Sequence, residues 1–330
     1  MIHRTPIRML RAVALMAAGA FAASVALAQG AYPTKPIQMA VSYAAGGGTD
    51  VVARVVATEL AKQLGQSVVV ENRVGAGGTL AVAHVAKSAP DGYNIGWFTG
   101  GPIVLAPITE TSLPYNVAKD LIPVSQVQTT DQVLVARPGL KANTIPELVA
   151  LAKKSPGSVS MGHTGIGTAQ LLAAVMLERM AGIELNQIPY KGEAPMLNDI
   201  MGERVDMGLV TATSADPLVK SGKVKMLSSG GAKRAYLFPN TPSMAEAGYP
   251  NFDANSHMGI YVPAGTPPEI VNKLHAAVVA ALRNPEVRTK LQEMGGTPVG
   301  TSPQEFAAFL KTDSERAQQM LKNTNVQAKQ

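Results

Sequence analysis

At 330 residues, with 46% hydrophobic and 16% charged residues, the chain is long enough for two domains and too apolar to be disordered. It has no cysteine, which excludes disulfides, thiolate metal sites and cysteine nucleophiles together. The net charge of +6 falls to +3 once three arginines near the start are set aside (26 basic against 23 acidic residues); with no basic run and one Trp, nucleic-acid binding has no support.

Those arginines belong to a segment that stands apart. Arg4, Arg8 and Arg11 precede an Ala-rich apolar run over 12–27, and Ala26-Leu27-Ala28 is an A-x-A cleavage signal. A secretory signal peptide is expected over 1–28, cleaved after Ala28. No later run reaches the ~20 apolar residues of a membrane span.

A short apolar strand is expected over 37–43, followed by Gly46-Gly47-Gly48, then a helix in which Val52, Val55, Val56, Leu60 and Leu64 recur at helical spacing. Thr49 or Asp50 is placed to cap that helix and Gly65 to end it. Backbone N–H groups at such a junction point outward with the positive end of the helix dipole behind them, a setting for a carboxylate or phosphate. A tight βα turn needs the same glycines for its dihedrals alone, and this stretch leaves both readings open.

A second strand is expected over 67–70, a helix over 80–87 and a third strand over 94–99 that ends at Gly100-Gly101. Strands separated by helices make βαβ units and a mainly parallel sheet. The right-handed crossover then opens the loops after each strand on one edge, where α/β sheets bind ligands. Further strands are expected over 121–128 and 132–136. Thr144-Ile145-Pro146-Glu147 has capping-box spacing. The alternation then restarts with strands over 158–162, 186–190, 205–210 and 224–228 and helices over 169–180, 193–201 and 213–220. A second α/β sheet with its own glycine-rich loop, from His163 to Gln170, argues for a second domain. The stretch 229–250 is rich in Gly and Pro with a short helix near 243–247; 252–262 is extended, and helices follow over 267–282, 285–294 and from Ser302 onward.

Catalytic motifs are thin. There is no H-E-x-x-H, no G-x-S-x-G elbow and no G-x-x-x-x-G-K-[ST] loop. What remains is small-residue loops on aligned strand ends: Tyr43 to Thr49, Thr99-Gly100-Gly101, His163 to Gln170, and the hydroxyls of Thr211, Thr213 and Ser214.

Segments along the whole mature chain then carry a resemblance: Tyr32-Pro33-Thr34-Lys35-Pro36, Ala45 to Asp50, Val70-Glu71-Asn72-Arg73, Ala89-Pro90-Asp91-Gly92-Tyr93, Leu113-Pro114-Tyr115-Asn116, Pro189-Tyr190-Lys191-Gly192 and Pro263 to Glu269. In this order the chain resembles the Bug proteins, periplasmic receptors of tripartite tricarboxylate transporters. The resemblance implies an α/β, type II periplasmic-binding-protein fold, two lobes closing on a small carboxylate that is delivered to membrane permease subunits. It implies no enzyme activity, no cofactor, no metal, no nucleic acid, and a monomer. With chain crossings near Gln128 and Ser229, lobe 1 is expected over 29–128 and 229–295 and lobe 2 over 129–228, with 296–330 returning across both.

The expected ligand set is Tyr43, Ala44, Ala45, Gly46, Gly47, Thr49, Thr99, Gly100, Thr164, Gly165, Gly167, Thr168, Gln170, Thr211 and His257. Three departures bear on the ligand. Gln170 stands near where the family often carries a histidine, His257 where an aromatic residue is common, and Val210 where an acid is usual. Losing that acid removes a partner for an amino group, so an amine-free carboxylate is expected, with His257 either a further polar contact or a packing substitution. An extracytoplasmic carboxylate sensor would use the same pocket, and an exported hydrolase or isomerase would need a perturbed acid or base in the cleft.

Overall fold

The computed structural model describes residues 32–165, 168–190 and 192–322; the expected signal peptide lies outside them. β1 (Ile37–Val41) is buried at four of its five positions, as a strand covered on both faces must be. Residues 42–47 lead into α1 (Gly48–Leu64), which buries Val52, Val56, Leu60 and Leu64 on one face. Gly65, in the left-handed region, ends it by donating its N–H to the Ala61 carbonyl. β2 (Val68–Asn72), α2 (Thr79–Ala86) and β3 (Asn94–Thr99) complete two βαβ units, with β2 and β3 parallel to β1 on either side. A π-helical turn (Gly101–Leu105), α3 (Ala106–Thr109) and α4 (Val117–Asp120) then lead to β4 (Leu121–Thr130) and β5 (Gln132–Ala136).

The second half of the alternation is α5 (Ile145–Lys154), β6 (Ser160–His163), α6 (Ala169–Ala181), β7 (Asn186–Pro189), α7 (Glu193–Met201), β8 (Met207–Thr211), α8 (Ala212–Lys220) and β9 (Lys225–Ser229). The chain returns through β10 (Ser256–Pro263), α9 (Pro268–Arg283), α10 (Pro285–Glu293), β11 (Gly296–Pro298) and α11 (Pro303–Leu321). Two sheets result, ordered β11-β4-β10-β3-β1-β2 and β7-β6-β8-β5-β9. The elements built on the first are termed lobe 1 and those on the second lobe 2.

Three expectations need correction. The sheets are mixed: β10 runs antiparallel to β3 and β4, and β5 antiparallel to β8 and β9. β5 and β10 are the first strands after the chain changes sheets, so neither follows the helical crossover that a parallel neighbour requires. The passage also lies later than residue 128. β4 continues through Thr130, and Asp131 alone separates it from β5. Asp131 donates its N–H to the Gly295 carbonyl (2.9 Å) and accepts at its own carbonyl from Ala212 N–H (3.0 Å), so the backbone of one residue ties both lobes. Ser229 closes β9 in lobe 2, and residues 243–247 form a turn instead of a helix.

Local rules account for the helix ends. Ser302 and Glu305 form a full capping box at α11. At α5 only half of it forms: Thr144 accepts from Glu147 N–H, while the Glu147 carboxylate takes Asn143 N–H. α11 is held on lobe 1 by Phe306, which packs against Tyr261 at 5.2 Å between ring centres, and Tyr261 stacks on Phe98 at 5.5 Å. Gly259 makes that docking fit, since a Cβ there would sit 2.5 Å from the Phe306 ring and 2.9 Å from the Ser125 carbonyl oxygen. Gly259→Ala is expected to cost about 1–3 kcal/mol through overpacking. A urea midpoint identical to wild type would show that α11 does not seat there.

Candidate functional site

β1 and β3 are adjacent and parallel, so the loops after Val41 and Thr99 open on the same edge of lobe 1. The Tyr43 hydroxyl lies 3.3 Å from Thr99 Oγ1 and 3.4 Å from the Gly77 carbonyl oxygen, which binds the two loops together. Ala44, Ala45, Gly46, Gly47 and Gly48 are exposed. Gly47 occupies the N-cap of α1 and no side chain caps that terminus. The first-turn N–H groups therefore lack side-chain acceptors, with the positive end of the dipole behind them.

Neither Thr49 nor Asp50 is the cap that sequence spacing allows. The Asp50 carboxylate reaches back out of the helix, accepting from Gly46 N–H (2.8 Å), Arg54 Nε (2.9 Å) and Asn72 Nδ2 (2.8 Å). Asn72 Nδ2 also donates to the Tyr43 carbonyl at 2.8 Å. Burial alone would raise the Asp50 carboxyl, but the hydrogen bonds from Arg54, Gly46 and Asn72 outweigh it and bring its pKa down to about 2. This ionised buckle moulds the loop 43–47. Gly46 N–H is consequently occupied, and the open donors are those of the helix turn that follows.

In lobe 2 the parallel strands β6 and β8 deliver Thr164 and Thr211 to one edge. The Thr168 hydroxyl accepts from Leu171 N–H to cap α6 and donates to the Gly165 carbonyl (2.7 Å). Gly165 N–H donates to His163 Nδ1 (3.1 Å), and burial pushes the His163 pKa down, which keeps that nitrogen an acceptor. Gln170 accepts from Thr164 Oγ1 at 3.1 Å and donates from Nε2 to Glu193 at 3.1 Å. Glu193 in turn takes Thr211 N–H and Thr211 Oγ1, both at 3.2 Å. Gly167 lies outside the described residues.

The expected residues thus form two clusters. One holds Tyr43, Thr99 and the loop between; the other holds Thr164, Gly165, Thr168, Gln170 and Thr211. Among the described residues no hydrogen bond joins 43–49 to 164–170. The lobes do meet near Gly100, where a cavity of about 30 Å³ is lined by Gly100, Gly101, Ala169, Leu172, Asn255 and His257. A larger groove of about 840 Å³ lies on the outside of lobe 1 between residues 103–123 and α11. Its polar lining, Asn116, Lys311, Ser314 and Gln318, is interspersed with Glu110 and Glu315, whereas the strand ends gather two loop clusters beside an uncapped helix start and are the candidate site.

His257 is the main correction. Its ring is 1% exposed, with Nε2 3.0 Å from the Tyr261 hydroxyl and Phe306 and Phe309 packed edge-on at 5.6 and 5.5 Å. Burial drives its pKa to about 3, so it is a neutral packed ring lining the small cavity. At Val210 the family's usual acid is absent, but a carboxylate stands nearby. Val210 is core, and Glu193 supplies a carboxylate to the neighbouring Thr211 from the start of α7. Sequence reading missed Glu193, Asn72 and the buckle role of Asp50. The available signal was an acid at the first position of a helix whose N-terminus faces the strand ends.

With this geometry established, similarity to known proteins is informative. The profile of the family described as tripartite tricarboxylate transporter family receptor matches residues 52–326. Protein BugT of Bordetella pertussis is 35% identical, covering 90% of this chain and 92% of that protein. The solved structure of Rpa4515 from R. palustris with adipate is 31% identical, with a TM-score of 0.79 over 88% of this chain and 97% of that one. MatC from Rhodopseudomonas palustris with bound malate is also 31% identical, with a TM-score of 0.76 over 88% and 100%. The two-sheet α/β architecture is that of the periplasmic binding proteins of this type.

Proposed function

The chain belongs to the tripartite tricarboxylate transporter receptor family, a family of solute-binding receptors, and from that premise we propose that it captures a small carboxylate in the periplasm and hands it to the membrane subunits of a transporter of that type. The observation that carries this reading is the α1 N-terminus, left without a side-chain cap beside the exposed loop 44–48. A carboxylate there gains N–H donors and the favourable end of the helix dipole. The facing hydroxyls and amides of Thr164, Thr168, Gln170 and Thr211 complete the enclosure on lobe closure. Adipate and malate in two relatives of the family supply the ligand class. The arginine-led, alanine-rich start ending in Ala26-Leu27-Ala28 supports export and cleavage after Ala28.

A thermal-shift screen of mono-, di- and tricarboxylates followed by calorimetry tests the proposal. A ligand at a hundred times its Kd stabilises the bound form by about 2.7 kcal/mol, which raises Tm by roughly 5 °C for a chain of this size. If no carboxylate in the series moves Tm, the reading fails. Co-purification with the permease subunits, enhanced by the same ligand, tests the delivery step.

A further inference from the structure

Among the described residues, Glu193 is an acid at the proposed cleft that the carboxylate reading does not use. It stands at the first position of α7, and among the described residues it has no ion-pair partner. Its hydrogen-bond partners among the described residues are uncharged donors. Oε1 accepts from Gln170 Nε2 (3.1 Å) and Thr211 N–H (3.2 Å), and Oε2 accepts from Thr211 Oγ1 (3.2 Å). Ser214 Oγ lies 2.8 Å from Thr211 Oγ1 and also bonds the acid, while Thr213 Oγ1 lies 3.5 Å from Thr211 Oγ1.

Counting protons gives this wall a polarity. A carboxylate only accepts, and each hydroxyl carries one hydrogen. Thr211 and Ser214 spend theirs within the Thr211–Ser214–Glu193 cluster, one hydroxyl donating to the other across 2.8 Å and the second donating to the acid. The Gln170 amide must turn its NH2 to the acid, which leaves its carbonyl oxygen for Thr164, whose hydrogen is committed there in turn. What Thr164, Thr211 and Ser214 keep for a ligand is therefore lone pairs, while Gln170, whose NH2 uses one of its two hydrogens on Glu193, keeps one N–H. The facing turn of α1 has the opposite character, with uncapped N–H donors. One jaw offers N–H donors and the other carries a carboxylate.

We propose, resting on the carboxylate-receptor reading, that Glu193 is the specificity-determining residue of this cleft and that its ligand is a carboxylate bearing a protonated amine, the carboxylate on the α1 turn and the amine against Glu193, Gln170, Thr164 and Thr211. A second carboxylate against this wall would meet the like charge of Glu193. An ammonium finds acceptors and a counter-charge. Burial pushes the Glu193 pKa up, so the ionised acid is poorly compensated in the empty cleft and gains from a cation. This ligand class differs from the amine-free acids carried by the two R. palustris relatives.

Calorimetry on the wild-type protein and on Glu193→Gln tests the proposal with matched probes: aspartate, 4-aminobutyrate and 5-aminovalerate against succinate, butyrate and valerate. The expected result is that an amino-carboxylate binds the wild type at least about tenfold tighter than its amine-free counterpart, and that Glu193→Gln erases the difference with circular dichroism unchanged. Thr164→Val, half-buried in a loop, serves if Glu193→Gln fails to fold, and is expected to weaken only the amino-carboxylates. Equal or tighter wild-type binding of the amine-free acids overturns the assignment while leaving the carboxylate receptor standing. Binding of neither class sinks both.

Discussion

Replacing Asp50 by alanine is expected to lower the unfolding free energy by about 2–4 kcal/mol and to weaken carboxylate capture by roughly tenfold or more. Asp50 is 2% exposed and fastens three elements: Gly46 in the loop, Arg54 one turn along α1, and Asn72 at the end of β2. Alanine leaves the Gly46 N–H and the Asn72 amide without their acceptor. Arg54 is half exposed, so its share is screened by water. The loop 43–47 then loses the contact that presents the α1 turn to the cleft, which links stability to binding. The pH dependence has a definite sign. A carboxyl at about 2 in the native state against 3.8 unfolded adds about 2.5 kcal/mol above pH ~4, lost as pH falls toward 2. Urea unfolding of the wild type and Asp50→Asn at pH 7 and pH 3 should show a difference at pH 7 that shrinks at pH 3. A constant difference would remove the ionised buckle from the account.

How far the sequence foretells this site depends on the range of the interaction. Strand, glycines and helix around Gly46 to Gly48, the Gly65 stop and the Ser302 capping box are legible because each rests on neighbours within a few residues. The direction of β5 and β10 is not, because side-chain periodicity is the same for parallel and antiparallel strands. His257 shows the limit most clearly. Whether its ring meets ligand or packing is decided by Phe306 and Phe309, some fifty residues away on α11. Glu193 shows the complementary failure: an acid at a helix start reads as a favourable dipole contact, and only the fold brings Gln170 and Thr211 onto it. Asp50 was legible as an acid in the first turn of α1, yet its partner Asn72 comes from the next strand, so a local cap was the wrong inference.

Asp131 is the residue on which the passage between lobes turns, and its chemistry opposes that of Asp50. It is 6% exposed, among the described residues its carboxylate accepts from Tyr236 N–H alone, at 3.0 Å, and Asp253 lies close enough to repel it. Burial first, and Asp253 second, lift its pKa from 3.8 to about 6 against the lowering effect of the Tyr236 bond. A carboxyl raised on folding holds its proton in the native state where the unfolded chain has released it. Its contribution is therefore fully present below pH ~4 and lost as pH rises through about 6, a swing of up to about 3 kcal/mol. Asp131→Asn keeps the shape and an acceptor for Tyr236 without the charge. It is expected to stabilise the protein by about 1–3 kcal/mol at pH 7.5 and to change little at pH 4. Urea titrations of the two proteins across pH 4–8 decide the matter, since the other carboxyls cancel in the difference. Destabilisation by Asp131→Asn at pH 7.5 would mean that the ionised carboxylate is holding the two lobes in register. If the stabilised variant also binds its carboxylate with altered affinity at neutral pH, the buried charge at the hinge sets the balance between open and closed lobes as well as the stability of the chain.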